Sequence, residues 1–186
     1  MKFAAVVIFV ITILTGCTSE EKLISKGMDL RKSILEAQSC TFQTTITADY
    51  GDVIYTFQMD CVTDNTGSVK FTVTDPETIS GITGTVGQEQ PKLTFDDKVL
   101  AFPILAENQI SPVSAPWVFI NTLRGGYLSG CGVEKEGYCI YIDDSYEEYP
   151  LHLLIHTDKA LIPYCAEIIW NERRILTLDV RNFTIQ

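Results

Sequence analysis

Residues 40–61, CTFQTTITADYGDVIYTFQMDC, decide the fold. Less polar and more polar side chains alternate with a period of two on both sides of Tyr50-Gly51, the signature of paired half-buried strands. Cys40, Phe42, Thr44, Ile46 and Ala48 share one face of the first strand. Val53, Tyr55, Phe57, Met59 and Cys61 share one face of the second. Gly51 supplies the positive φ that a tight hairpin needs. With Asp49 opposite Asp52, Phe42 faces Met59, Thr44 faces Phe57 and Ile46 faces Tyr55, so the apolar faces coincide. The same register sets Cys40 opposite Cys61, at a non-hydrogen-bonded position where Cα atoms approach closely. A Cys40–Cys61 disulfide is the expected reading, contributing roughly 3 kcal/mol in the chain-entropy picture. Two reduced core cysteines are the alternative.

Outward from this hairpin the pattern persists. Val69, Phe71 and Val73 alternate with polar residues until Asp75-Pro76 breaks the run. Ile79–Val86 and Lys92–Leu100, around a Gly87–Pro91 turn, read as the next hairpin, with Gly81 and Gly84 marking a bend. Ser114 is placed to cap a short helix from Ala115 to Arg124 with Pro116 in its first turn, and Gly125-Gly126 end it. Tyr127–Gly132 and Tyr138–Ile142 form a hairpin that brings Cys131 near Cys139, a second candidate disulfide whose register the loop leaves open. Strands follow at Leu151–Thr157, Tyr164–Trp170 and Arg173–Thr184. Before the first hairpin, Ser19 to about Gln38 reads as a helix with Leu23, Ile24, Met28, Ile34 and Leu35 on one side.

The start of the chain is of another kind. Lys2 precedes an apolar run, Phe3–Leu14, that ends in Leu14-Thr15-Gly16-Cys17. The run is shorter than the ~20 residues a spanning helix needs, and no A-x-A-like cleavage site follows it. Small residues directly before a cysteine read as a lipobox. Residues 1–16 are then a lipoprotein signal peptide, and 17–186 are a single domain. Cys17 becomes the first mature residue and carries a covalent diacylglyceryl group with palmitate-type chains. Two acyl chains give stable anchoring, so the expected location is extracytoplasmic, on the membrane surface.

The formal net charge is −10. That excludes the basic footprint of a nucleic-acid-binding protein and disfavours electrostatic attraction to anionic lipid. Beyond Cys17 the cysteines are Cys40, Cys61, Cys131, Cys139 and Cys165, an odd set in a setting that permits disulfides. No metal site is expected. His152 and His156 lie on one strand face about 13 Å apart by strand rise, too far to share an ion, and read as solvent-side residues. The loop Asp143–Tyr149 lacks EF-hand spacing and reads as a solvated acidic loop, or as a contact for a basic partner with Tyr141, Tyr146 and Tyr149. No G-x-S-x-G, P-loop or G-x-G-x-x-G is present, so no catalytic residue is assigned and no enzyme is expected.

The apolar strand faces can line a cavity or fill a core. Phe42, Ile46, Tyr55, Phe57, Met59, Val69, Phe71 and Val73, with Trp117, Ile120 and Leu123 of the short helix, are the candidate cavity lining.

The order of elements resembles the LolA/LppX-like lipoprotein-carrier superfamily. The local matches are Phe71-Thr72-Val73-Thr74-Asp75-Pro76-Glu77 with Ile79-Ser80-Gly81-Ile82, then Leu161-Ile162-Pro163, Ala166-Glu167-Ile168, and Ile175 through Asn182-Phe183. The resemblance implies an α+β fold: a curved antiparallel half-barrel of about ten strands with helices covering its concave face. It also implies a lipid or acyl chain bound in the hydrophobic cavity. The alternative is a lipid-anchored interaction protein that docks an envelope enzyme such as a cell-wall hydrolase, as a clostridial germination-lipoprotein type does. No soluble cofactor is implied.

Overall fold

Alternation of the kind seen in residues 40–61 runs through most of the chain and builds one sheet. The computed structural model describes residues 17–87, 92–95, 98–101, 105–106, 109–144 and 151–186. Residues 1–16, expected to be a signal peptide, most of the Gly87–Pro91 turn and Ser145–Tyr149 of the acidic loop lie outside these residues, as does the Cys17 side chain.

Helix α1 (Cys17–Glu36) leads into β1 (Cys40–Asp49), β2 (Ile54–Thr63) and β3 (Val69–Asp75). The short strands β4 (Thr83–Val86), β5 (Lys92–Phe95) and β6 (Lys98–Ala101) follow. A small separate hairpin, β7 (Leu105–Ala106) and β8 (Gln109–Ile110), leads to helix α2 (Ala115–Gly125). The chain ends with β9 (Tyr127–Val133), β10 (Gly137–Asp143), β11 (Leu151–Asp158), β12 (Pro163–Trp170) and β13 (Arg173–Ile185).

The main sheet has eleven strands in the order β6-β5-β4-β3-β2-β1-β13-β12-β11-β10-β9. Every neighbouring pair is antiparallel. Two meandering arms are thus joined where the first strand pairs with the last. The sheet is open and curved, with α1 and α2 on its apolar face, as the α+β expectation has it.

The first hairpin differs from the sequence expectation. Asp49 pairs with Ile54, so the connection is Tyr50–Val53 rather than Tyr50-Gly51, and every partner moves by two. Phe42 faces Cys61, Thr44 faces Met59, Ile46 faces Phe57 and Ala48 faces Tyr55. The physical reason lies in the turn. The Asp49 carboxylate accepts the Gly51 N–H at 2.8 Å, Gly51 sits at φ +92°, and Tyr50 N–H donates to Val53 O. Tyr50 leaves the strand, and its hydroxyl donates to Ile110 O at 2.7 Å. A shift of two keeps every side chain on its face, which is why the alternation could not reveal it.

Other corrections are local. Ile79–Val86 is not one strand: a 3-10 turn at Glu77–Ile79 and Gly81 at φ +87° precede β4. Lys92–Leu100 divides into β5 and β6. Ser114 makes no side-chain cap; a 3-10 turn, Pro112–Ser114, runs directly into α2.

Helix α1 buries a different stripe from the expected one. Leu30 and Ile34 are buried with Gly27, while Ile24, Met28 and Leu35 are exposed. Gly27 explains the rotation: a Cβ there would sit 3.2 Å from both Leu128 and Ile140, so its absence lets the helix lie close on β9 and β10. Arg31 then ties the helices together by donating from Nε to Leu123 O at 2.7 Å and from Nη2 to Gly126 O. A cation at the carboxyl end of α2 also complements its dipole.

Candidate functional site

Among the described residues, side chains of the chain itself pack against one another on the inner face of the sheet. Phe119 of α2 is fully buried and meets the Phe42 ring edge-on at 5.9 Å and the Phe183 ring at 6.2 Å. Phe42 and Phe183 stack at 5.6 Å. Of the candidate cavity residues, Phe42, Ile46, Phe57, Met59, Val69, Phe71, Val73, Ile120 and Leu123 belong to one contiguous buried cluster. Trp117 packs against it partly buried. Tyr55 does not belong: it is 52% exposed, because the longer turn leaves it at the hairpin tip beside Tyr50. A surface depression of about 480 Å³ opens on β2–β5, lined by residues such as Val62, Lys70, Thr72 and Lys92, with none from either helix. Another of about 300 Å³ flanks the edge strand, between Glu20 and Ile24 of α1 and Ser129–Cys131 of β9, with Tyr141.

Neither expected disulfide pair is brought together. The Cys40 N–H donates to Thr63 Oγ1 at 2.9 Å, while Cys61 faces Phe42 and Phe71. Cys40 and Cys61 are therefore diagonal rather than opposite, a relation of about 7–8 Å between Cα atoms, beyond the usual disulfide range. Cys131 pairs with Ile140, and Cys139 with Gly132, so Cys131 and Cys139 project to opposite faces. All five cysteines beyond Cys17 are free thiols. Burial is the first cause that pushes each of them above the ordinary thiol value. A raised thiol is the reverse of an activated nucleophile.

The outer face of the second arm holds a cluster that the sequence did not disclose. Ile140, Leu153, Ile155 and Ala166 point into the core, so Cys139, His156 and Cys165 point outward. The register places these three in one row across β10, β11 and β12: Cys139 opposite His156, and His156 opposite Cys165. Glu134, from the β9–β10 turn, folds back over the row. Both its carboxylate oxygens lie against His156 Nδ1, at 3.0 and 3.1 Å. The Tyr164 hydroxyl donates to Glu134 Oε2 at 3.4 Å. On the other side of the ring, Nε2 is 3.9 Å from Glu167 Oε1, and Arg174 holds Glu167 Oε2 at 3.2 Å. Burial, then the Glu134 charge, pushes the Cys139 thiol up to about 11, against a smaller lowering by its hydrogen bond with Tyr141. Burial, then Asp179, pushes Cys165 up to about 11.

His156 thus lies on the solvent-side face as expected, but Glu134 and Glu167 flank it and leave its side chain only 18% exposed. His152 is more open and lies 3.6 Å from Asp143. The missed signal was the spacing of Glu134, Cys139, His156 and Cys165. It matches successive antiparallel strands, not the short ligand pairs of a metal finger.

No family model matches the chain, and no curated protein matches its sequence. Solved structures do resemble its fold. A LolA superfamily protein from Nitrosomonas europaea is 9% identical, with 86% of this chain and 93% of that chain covered and a TM-score of 0.46. The lipoprotein LppX of Mycobacterium tuberculosis is 14% identical, with 89% and 96% covered and a TM-score of 0.44. The CwlD amidase–GerS lipoprotein complex of Clostridioides difficile contains a chain 12% identical, with 86% and 93% covered and a TM-score of 0.43. At these identities and scores the likeness is one of chain path alone. Among the described residues, no helix is long and apolar enough to cross a membrane.

Proposed function

We propose that this chain is a lipid-anchored, non-catalytic interaction protein of the bacterial envelope, tethered through a diacylglyceryl group on Cys17 and docking an envelope enzyme such as a cell-wall hydrolase. The observation that carries the reading is the packing of the inner face among the described residues: Phe119, Ile120 and Leu123 of α2 are buried in one apolar cluster with Phe42, Phe57 and Phe183. Binding capacity then lies on the outside. Tyr127 and Val133, at the two ends of the edge strand β9, are 69% and 70% exposed. An edge strand with exposed apolar side chains is a template for pairing with another chain. Val53, Ile54 and Tyr55 form a second exposed apolar group at the first hairpin tip. Helix α1 begins at Cys17, which supports a domain held close to the membrane without a long linker.

Photo-crosslinkers at Val133 and Ile54, in intact envelopes, test the reading. One dominant protein adduct at either position is the expected result. Native mass spectrometry of the gently extracted chain is expected to show no lipid beyond the covalent anchor. Stoichiometric non-covalent lipid would favour a carrier and sink the proposal. Metabolic acyl labelling that is lost in Cys17→Ser tests the tether.

A further inference from the structure

The outer-face cluster combines three donor types at one point. A Glu134 oxygen, Cys139 Sγ and a His156 ring nitrogen all lie within 4.8 Å of one another. Carboxylate, thiolate and imidazole are the ligands of zinc-type sites. The spacing suits such an ion. Donors bonded tetrahedrally at about 2.0–2.3 Å lie roughly 3.3–3.6 Å from each other. The Glu134–His156 pair, at 3.0 Å, is already near that separation. Movement of about 1 Å by the side chains closes the rest, and Glu134 springs from a turn rather than from the middle of a strand.

The surroundings hold the groups that a metal-bound histidine uses, with the Glu167 carboxylate 3.9 Å from the second ring nitrogen. Such a residue gives its second ring N–H to a carboxylate that fixes its orientation. Here Nδ1 faces Glu134 while Nε2 faces Glu167, itself held by Arg174. Tyr164 steadies Glu134 in the same way. Cys139 is buried and comes from a strand whose neighbours are both paired, so its position is rigid.

We propose that Glu134, Cys139 and His156 bind one divalent ion of the zinc class on the outer face of β10–β11, through Glu134 carboxylate oxygen, Cys139 thiolate and His156 Nδ1. The fourth position is left to water. As the ion binds, the Cys139 thiol proton passes to solvent, and the ring proton of His156 resides on Nε2, which the Glu167 carboxylate reaches by a side-chain movement of about 1 Å. The proposal is independent of the docking role.

The test uses the full chain, purified in detergent and kept reduced. Calorimetric titration with Zn²⁺ is expected to give one ion per chain. Co²⁺ is expected to give a thiolate-to-cobalt charge-transfer band with the visible spectrum of a tetrahedral ion. Both signals should vanish in Cys139→Ser and His156→Gln and persist in Cys131→Ser, whose thiol projects to the other face. Glu167→Gln should weaken binding about 10- to 100-fold, as loss of an outer partner does. Circular dichroism checks that each variant folds. If Cys139→Ser does not fold, the surface variant His156→Gln carries the result. A wild-type chain that gives no saturable binding, or no charge-transfer band, overturns the site. So does a band that survives in His156→Gln.

Discussion

Replacing Phe119 by Ala separates a filled interior from a lipid cavity. The Phe119 ring is fully buried between α2 and the sheet and makes edge contacts with Phe42 and Phe183. Removing a buried phenyl group costs about 3–5 kcal/mol in transfer and cavity terms. Each of the two aromatic contacts is part of that loss, at about 0.5–1.5 kcal/mol beyond area burial. A domain of this size has a total stability of about 5–15 kcal/mol, so the loss is a large share of the whole. It corresponds to a fall in melting temperature of roughly 6–20 °C. Urea unfolding followed by tryptophan fluorescence measures it, with the slope of the transition checked for constancy. A loss below about 1 kcal/mol would refute the reasoning, because a side chain lining an open, lipid-filled space gives up few protein contacts. Restoration of the lost stability by added fatty acid is expected only in the variant, where truncation makes room.

Three further outcomes follow from particular contacts. Tyr50→Phe removes the hydroxyl that donates to Ile110 O and is expected to cost about 1 kcal/mol near neutral pH. Burial, then Tyr55, raises Tyr50 to about 12. The folded chain therefore keeps this proton while the unfolded chain, titrating near 10, gives it up. Its contribution is full below pH 10 and is lost as pH rises towards 12; ultraviolet titration of tyrosinate and urea midpoints at pH 9 and 11 should show the loss in wild type and not in Tyr50→Phe. Arg31→Ala breaks the link from α1 to the carbonyls of Leu123 and Gly126 at the carboxyl end of α2 and is expected to cost about 1.5–3 kcal/mol, read by thermal melting. Thiol-specific mass labelling of the unreduced, denatured chain should modify Cys40, Cys61, Cys131, Cys139 and Cys165 alike; protection of Cys40 with Cys61 would mean that the hairpin register differs from the one described.

Much of the architecture was legible from residue patterns. Alternation at Phe42–Ala48, Val69–Val73 and Leu151–Thr157 names strands and the faces that turn inward, because side chains on a strand alternate strictly. Ala115–Arg124, with Pro116 near its start and Gly125-Gly126 after it, marks the second helix for equally local reasons. The α1 face was misread because a buried glycine contributes nothing to an apolar periodicity, yet Gly27 is where the helix touches the sheet.

Residue patterns alone identify both helices, most of the long strands and the strand faces that are apolar, because these follow from local periodicity. Three matters emerge only from the folded chain. Hairpin register was the first, since an offset of two leaves alternation unchanged and is set by the Asp49–Val53 turn and by pairing of β1 with β13. The second was which apolar side chains meet across the inner face: alternation names the residues that turn inward, but only the placement of α2 brings Phe119 against Phe42 and Phe183. The third was the Glu134–Cys139–His156 cluster. Those residues are spread over three elements, and only the order of β9, β10 and β11 in the sheet makes distant chain positions neighbours in space.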